Sequence, residues 1–149
     1  MALEQQVQKD IMAAMKARDQ VRLNAVRSIK SAILLARTAE GASGELTDGD
    51  IVKLIQKLAK QRREAAEQYA AAGRRELADN ELAEAAVLDE YLPKQLSPEE
   101  LEAKLREIVA EVGASSPKDM GRVMGVATKR LAGLADGKAI SAVVKQILS

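Results

Sequence analysis

An all-α fold is predicted for this 149-residue chain by three features of its sequence. Its apolar residues are mostly aliphatic, since 27 Ala and 17 Leu stand beside two Tyr and no Phe or Trp. Ala and Leu favour helix, whereas β-branched and aromatic residues favour strands. Apolar positions recur at intervals of three and four residues through most of the chain. Only three Pro and nine Gly are available for turns, which is too few for a turn-rich β fold.

Two helices are predicted within residues 2–38, because two apolar stripes are separated by a break near Ala17 to Gln20. Asp19 is the expected N-cap of the second helix. A loop rich in Gly and small residues is expected at residues 40–46, and Thr47 begins the next helix with acidic residues in its first turn. The positions expected to face the core are Leu3, Val7, Ile11, Met15, Leu23, Val26, Ile29, Ile33 and Leu34.

A third helix is predicted from Asp48 to about Ala72 and a fourth from Arg75 to about Tyr91. Gly73 is the expected stop between them, and Pro93 ends the helical pattern. The core positions expected in these helices are Ile51, Leu54, Ile55, Leu58, Ala65, Tyr69, Leu77, Leu82, Ala85, Ala86, Val87 and Leu88.

Three further helices are predicted after Pro93. Ser97 and Ser116 each precede a Pro, which is typical of an N-cap followed by the first helical position. Gly113 is expected to end the first of these helices, and Asp136 is expected to cap the last. The sequence therefore predicts an N-terminal domain of long helices at residues 1–92 and a small three-helix domain at residues 97–149. Because each has its own apolar stripes, the second is expected to be separable from the first.

Several classes of protein are excluded by missing residue types. The chain has no Cys and no His, so it has no disulfide framework, no thiolate nucleophile and no imidazole base. Ser-His-Asp and Cys-His enzymes are therefore excluded. The sequence shows neither a phosphate-binding Gly-x4-Gly-Lys run nor a carboxylate cluster with metal spacing. No catalytic residue, metal or cofactor is predicted. No apolar run is long enough to span a membrane and no leader opens the chain, so a cytoplasmic protein is expected.

Charge is uneven along the chain although its net value is only +1. Five basic and no acidic residues lie between Lys53 and Arg63, and six acidic and no basic residues lie between Glu76 and Glu90. These blocks face each other if their helices pack antiparallel. Arg62 falls inside the apolar stripe, so two interpretations remain open. It forms a structural ion pair with Glu81 or Glu84, or it belongs to a binding face.

The most distinctive basic stretch follows residue 113, where six basic residues stand against two acidic ones. Within it, the segment from Lys129 to Lys138 contains two glycines that permit close approach of a ligand backbone, and amides after Asp136 that suit an anion. Alternatively, Asp136 satisfies both those amides and Lys138. The candidate phosphate-binding residues are Lys118, Arg122, Lys129, Arg130 and Lys138. A second basic surface is predicted at Lys53, Lys57, Arg63 and Arg74, for which the alternative is an ordinary solvated face.

Together, several short motifs resemble the YqeY family, also called the GatB/YqeY domain family. They are Gln61-Arg62-Arg63, Tyr69, Gly73-Arg74, Leu77, Glu81, Tyr91-Leu92-Pro93, Lys118-Asp119-Met120-Gly121, Met124, Gly133, Ala135-Asp136-Gly137-Lys138 and Val144. The resemblance implies an N-terminal long-helix unit that is hairpin-like, and a C-terminal three-helix unit. The latter is similar to the tail of the glutamyl-/aspartyl-tRNA amidotransferase B subunit, which helps hold tRNA. It also implies the family's usual label of carbon–nitrogen ligase activity with glutamine as nitrogen donor.

Three functional hypotheses follow from the residues and the resemblance together. The first is a non-catalytic helical module that binds tRNA, or a tRNA-modifying or aminoacylating enzyme. The second is a protein–protein adaptor that uses the long helices without binding RNA. The third is the ligase activity that the family label implies, although the sequence offers no nucleophile or ATP site for it. With so few aromatics, any RNA contact is expected to depend on shape and phosphates rather than on stacked bases.

Overall fold

A computed structural model describes residues 2–39 and 45–149, and within these residues it confirms the all-α prediction. Seven α-helices and one short 3₁₀ turn are present there, with no strand. The chain divides into two compact units, Met1–Leu92 and Pro93–Ser149. Independent folding of the two units stays a prediction. Of the loop expected at residues 40–46, residues 40–44 lie outside the described residues, and residues 45–46 are in neither a helix nor a strand.

The N-terminal unit contains α1 (Ala2–Ala17), α2 (Gln20–Thr38), α3 (Asp48–Ala71) and α4 (Arg75–Asp89). The predicted break between α1 and α2 is confirmed, since Asp19 lies outside both helices and its side chain accepts the amide of Arg22 at 3.0 Å. Arg18 turns the chain there with a positive φ of 55°. Gly73 has the expected left-handed conformation after α3, with a φ of 75°.

The core of this unit is aliphatic, as the composition indicates. Its largest fully buried members are Val7, Val26, Ile29, Ile33, Ile51, Ile55 and Leu88. Met15 and Leu34 were expected in this core, but both are exposed. The stripe of α1 passes through Ala14 instead of Met15. Spacing alone cannot distinguish these positions, because residues at i+3 and i+4 lie on either side of the same helix face.

The far end of the α3–α4 hairpin packs through alanines. Ala66, Ala78 and Ala85 are buried, whereas Tyr69, Leu77, Leu82 and Ala86, which were expected in the core, are exposed, and Ala65 is half-buried. Small side chains allow two helices to approach closely, and larger neighbours then project to the outside. The predictions for Tyr69, Leu77, Leu82 and Ala86 were therefore wrong, whereas Ala85 is buried as expected. The predicted helix bounds agree with the structure to within two residues.

Opposite charges of α3 and α4 meet across this hairpin, as expected for antiparallel packing. Arg62 Nε lies 3.2 Å from Glu84 Oε1 and 3.8 Å from Glu81 Oε2. Glu84 is buried, and its second oxygen accepts from Asn80 Nδ2 at 2.9 Å. Arg63 forms an ion pair with Asp89. The structure therefore supports the ion-pair interpretation of Arg62, because a buried carboxylate requires such partners.

The C-terminal unit contains α5 (Pro98–Val112), a 3₁₀ turn (Pro117–Asp119), α6 (Met120–Arg130) and α7 (Gly137–Leu148). Ser97 and Glu100 form a reciprocal capping box at the start of α5, and Gly113 ends that helix with a φ of 67°. Its buried residues are Leu101, Leu105, Ile108, Val123, Ala127, Leu131, Ile140, Val144 and Leu148. This core is separate from that of the N-terminal unit.

Candidate nucleic-acid interface

The start of α6 is built around Asp119. The backbone amides of Ser115 and Ser116 donate to Asp119 Oδ2 at 2.9 and 3.3 Å, and Arg122 Nη2 donates to Asp119 Oδ1 at 2.9 Å. The Ser115 amide, followed by the Arg122 guanidinium, holds the pKa of this carboxyl below its usual range. The negative charge of Asp119 is therefore used within its own turn.

One exposed face of α6 carries cations beside glycines. Lys118, Arg122 and Lys129 lie at spacings of four and seven residues, which places them on the same side of the turn and the helix. Gly121 and Gly125 are also exposed, and a Cβ added at either would meet no atom within 4 Å. Arg122 and Lys129 are about 10 Å apart along the helix axis. The face is therefore flat, exposed and positively charged.

The other two predicted residues have different surroundings. Arg130 lies at the end of α6, where its Nη1 is 2.5 Å from Glu111 Oε2 of α5 in an exposed ion pair. Lys138 is exposed in the first turn of α7, and its backbone amide donates to Asp136 Oδ1 at 3.3 Å. Among the described residues, its ammonium has no carboxylate partner. Asp136 thus caps the helix backbone, and the Lys138 side chain remains available.

The turn at Gly133 is in contact with another segment of the protein's own chain, so it is not open to a ligand. Gly133 is buried with a φ of 79°, and its carbonyl accepts from Gln95 Nε2 at 2.7 Å. The neighbouring Leu134 carbonyl accepts the Leu96 amide at 2.9 Å. Close backbone approach was expected at this glycine, but the approaching segment is residues 95–96, which lie between the two predicted domains. Gly137, by contrast, has open space around it.

Acidic residues from position 113 onward are limited to Asp119 and Asp136, and both accept helix-capping hydrogen bonds. Of the six basic residues in this stretch, Arg122 and Arg130 form ion pairs. The remaining four are lysines with no carboxylate partner in the described part of the chain, namely Lys118, Lys129, Lys138 and Lys145. The α5 helix differs, since it carries five Glu against one Lys and one Arg. The positive charge of this unit is therefore concentrated away from α5.

The predicted second basic surface is spread along α3. Lys53 and Lys57 are exposed one turn apart, but Arg63 is bound to Asp89. Arg74 lies in the turn after α3, about 30 Å from Lys53 at the rise of an α-helix. These four residues do not form one compact surface. Of the four, Lys53 and Lys57 lie side by side, and neither has an ion pair within the described part of the chain.

A polar junction that sequence patterns did not indicate joins the end of α4 to α1 and α2. The Tyr91 hydroxyl donates to Asp10, and Arg22 binds both oxygens of Glu90 at 3.1 and 3.0 Å. Burial, followed by the hydrogen bond to Asp10, raises the pKa of Tyr91. These partners are 68 and 81 residues apart in sequence, so no local pattern could have identified them.

A groove between α1 and α2 was also missed. It is lined by Glu4, Gln5, Val7, Gln8, Lys30, Ile33 and Leu34. The available signal was Met12, a large apolar residue outside the predicted core stripe. Helical spacing assigned Met15 to the interior, and its exposure is the observation that reveals this face.

Neither a membrane-spanning helix nor a metal-binding group occurs among the described residues. No helix there is both long and apolar enough to cross a bilayer. Likewise, no three acidic side chains in residues 2–39 and 45–149 are grouped as ligands for one ion.

Comparison with known proteins gives two findings. A family model described as "Yqey-like protein" matches residues 4–148, which is nearly the whole chain. A curated protein of Meyerozyma guilliermondii, "Altered inheritance of mitochondria protein 41, mitochondrial", is 29% identical over 123 residues. The match covers 80% of this chain but only 64% of the length of that relative. On the strength of the family match, which includes both units, the chain belongs to the YqeY family.

Proposed function

We propose that the C-terminal unit binds structured RNA, and tRNA in particular, through phosphate contacts made by Lys118, Lys129 and Lys138. The observation that supports this proposal is the use of Asp119 and Asp136, the two acidic residues after position 113, as helix caps. Within residues 2–39 and 45–149 these lysines are exposed and have no carboxylate partner. Helix-borne cations that neutralise phosphates release counterions, which is the main source of sequence-independent affinity. Arg122 and Arg130 contribute by exchanging weak exposed ion pairs for phosphate.

The proposed mode of binding is recognition of shape rather than of base sequence. The C-terminal unit contains no aromatic residue, because both tyrosines lie in the N-terminal unit. It therefore offers no platform on which unpaired bases stack. Gly121 and Gly125 leave the backbone of α6 accessible, so a sugar–phosphate chain approaches the helix without meeting side chains. The acidic α5 helix repels RNA and restricts the approach to α6 and α7.

The resemblance to the tRNA-holding tail of the amidotransferase B subunit supports the same proposal. Because the chain lacks Cys, His and a phosphate-binding glycine loop, we propose that it has no ligase or glutaminase activity of its own. We propose the cytoplasm as its compartment. The name of the Meyerozyma guilliermondii relative includes a mitochondrial assignment, and tRNA is used in both compartments.

The proposal is tested by a triple variant, Lys118→Gln with Lys129→Gln and Lys138→Gln. We expect weaker binding to unmodified tRNA, and a slope of log K against log salt that is shallower by about 0.7–0.9 per lost phosphate contact. The melting temperature should stay nearly constant, because substitutions of exposed charges change stability by within about 0.5 kcal/mol. Fluorescence anisotropy over a range of salt concentrations measures the affinity and its salt slope, and a thermal melt measures the stability.

A matched control separates local contacts from net charge. The triple variant Lys9→Gln, Lys16→Gln and Lys104→Gln removes the same charge from exposed positions elsewhere. If the two triple variants lose affinity equally, the α6–α7 face is not the binding site. Absence of salt-dependent tRNA affinity in the unmodified protein contradicts RNA binding altogether. Turnover of glutamine that is abolished by one substitution contradicts the non-catalytic assignment.

A further inference from the structure

The groove between α1 and α2 in the N-terminal unit has an apolar floor and an open top. Val7 and Ile33 form the floor, and each is only 2% exposed. Gln5 and Gln8 line one side on α1, while Lys30 and Leu34 line the other on α2. Leu34 is 50% exposed although it lies beside the core.

Two methionines extend the α1 side of this groove. Met12 and Met15 follow Gln8 by four and seven residues, so they lie on the same side of the helix one and two turns further on. They are 61% and 53% exposed. Methionine is flexible and polarizable, and exposed methionines are common on surfaces that bind apolar partners. With Leu34, they form an apolar strip that solvent contacts in the isolated chain.

The charges around this strip are positive. Lys16, Arg27 and Lys30 are exposed, and among the described residues none has a carboxylate partner. Arg27 lies seven residues before Leu34 and therefore on the same side of α2. The one acidic residue in the groove, Glu4, is bound through both oxygens by Arg37.

The other acidic residues of α1 and of the α1–α2 turn are also engaged. Asp10 accepts from Gln6 and Tyr91, and Asp19 caps α2. No carboxylate is therefore available to neutralise the groove from within these two helices. Its cations require an acidic partner, while its methionines and Leu34 require an apolar one.

We propose that the α1–α2 groove binds an amphipathic helix of a partner protein, with an apolar stripe flanked by Asp and Glu. The α1 lining of the groove ends at Gln8, and helical spacing continues the same side of α1 to Met15. The length from Gln5 to Met15 is about 15 Å, which matches about three turns of a partner helix. The apolar side chains of the partner cover Met12, Met15 and Leu34, and its carboxylates face Lys30 and Arg27. Helix-in-groove recognition uses this combination of apolar anchors and flanking charge. The proposal is independent of RNA binding by the C-terminal unit.

The experiment uses the full chain and a fluorescein-labelled synthetic peptide of about four helical turns. The peptide has Leu at positions i, i+3, i+4 and i+7 and Glu at the flanking positions. A scrambled peptide of the same composition has no apolar stripe. Anisotropy gives the affinity, and two-dimensional NMR locates the bound peptide. We expect the amphipathic peptide to bind, the scrambled peptide to bind much more weakly, and shift changes to concentrate on α1 and α2.

Two substitutions test the apolar contacts and one tests the charges. The double variant Met12→Gln with Leu34→Gln should weaken the amphipathic peptide by about tenfold or more. Leu35→Gln is its matched control, because Leu35 is 71% exposed but lies on the side of α2 away from α1. Lys30→Glu should weaken binding of the Glu-bearing peptide and strengthen binding of a version with Lys in place of Glu. Lys57→Glu makes the same charge change on α3.

The possible results divide clearly. The proposal is supported if Met12→Gln with Leu34→Gln lowers affinity for the amphipathic peptide while Leu35→Gln does not. It is also supported if Lys30→Glu makes the Lys-bearing peptide bind more tightly than the Glu-bearing one. Equal binding of the scrambled peptide, or equal effects of the Leu35 and Lys57 controls, overturns it. If Met12→Gln with Leu34→Gln instead reduces binding to tRNA, or to vesicles of anionic phospholipid, while peptide affinity is unchanged, the occupant is RNA or membrane and the proposal is wrong.

Discussion

In the N-terminal unit four arginines bind carboxylates that lie in a different helix or directly after its end. In the C-terminal unit, most engaged carboxylates belong to the helix start that they stabilise. Arg22, Arg37, Arg62 and Arg63 form the first group. Glu100, Asp119 and Asp136 form the second, each accepting a backbone amide at a helix N-terminus. Ion pairs between helices fix how those helices pack. Caps fix where a helix begins and do not constrain its neighbours.

This difference explains how a chain with a net charge of +1 has a strongly basic face. A carboxylate that caps a helix neutralises backbone dipoles rather than a lysine. The lysines of α6 and α7 therefore keep their charge exposed. Overall composition does not reveal this arrangement, because the numbers of acidic and basic residues are nearly equal. What matters for binding is which groups the carboxylates contact.

The largest expected effect tests whether the two units are also separate in stability. Ile55 and Leu105 are both fully buried, but in different cores. Replacing either by Ala should cost about 2–5 kcal/mol, from lost burial and the cavity left behind. We expect Ile55→Ala to lower only the transition of the N-terminal unit and Leu105→Ala only that of the C-terminal unit. Calorimetry combined with native-state hydrogen exchange measures the two transitions.

A single transition that moves equally in both variants contradicts separate folding. In that case the boundary at residue 92 separates two groups of contacts that nevertheless unfold together in one cooperative transition. The milder Ile55→Val substitution, which costs about 0.5–1.5 kcal/mol, shows whether the response scales with the volume removed.

The caps of the C-terminal unit give a smaller effect with a defined pH dependence. Ser97→Ala removes the side-chain cap of α5 and should cost about 1 kcal/mol. The Ser97 amide, followed by its hydroxyl, holds the pKa of Glu100 below its ordinary value of 4.5. The folded state therefore binds this proton less tightly than the unfolded state. Its contribution is present above about pH 4.5 and is lost as the pH falls through the lowered folded value.

Denaturant titrations of Glu100→Gln at several pH values test that sign. We expect the variant to be less stable than the unmodified protein at neutral pH, and the difference to shrink on acidification. The exposed pair of Glu102 with Arg106 supplies the control, because Glu102→Gln removes a carboxylate that caps no helix. A stability difference for Glu100→Gln that is unchanged at acid pH shows that the carboxylate does not act through its charge.

The features that sequence predicted are those whose physical cause is local. Asp19, Ser97, Gly113 and Asp136 each end or begin a helix through contacts within a few residues, so their patterns are sufficient. Met15 and Leu77 were misplaced because periodicity gives the direction of a helix face but not how closely a neighbour approaches it. In the same way, spacing predicted that Lys118, Arg122 and Lys129 share a face. It did not predict that Glu111 holds Arg130, which depends on how α5 packs against α6.

The smallest effect is a gain in stability with a loss of binding, expected for Gly121→Ala and Gly125→Ala. Both glycines are in α6 on an exposed face, and an added methyl group meets no atom within 4 Å. Because Gly costs about 0.5–1 kcal/mol relative to Ala in a helix interior, Gly125→Ala should raise the melting temperature, and Gly121→Ala, in the first turn of α6, should raise it by less. The methyl group at position 125 stands between Arg122 and Lys129, and the one at position 121 lies beside Arg122 on the same face, where the proposed phosphate backbone approaches the helix. We therefore expect tRNA affinity to fall while stability rises. Unfolding cannot explain a variant that melts at a higher temperature and binds tRNA less tightly. Unchanged tRNA affinity in the stabilised variants shows that RNA does not approach this side of α6.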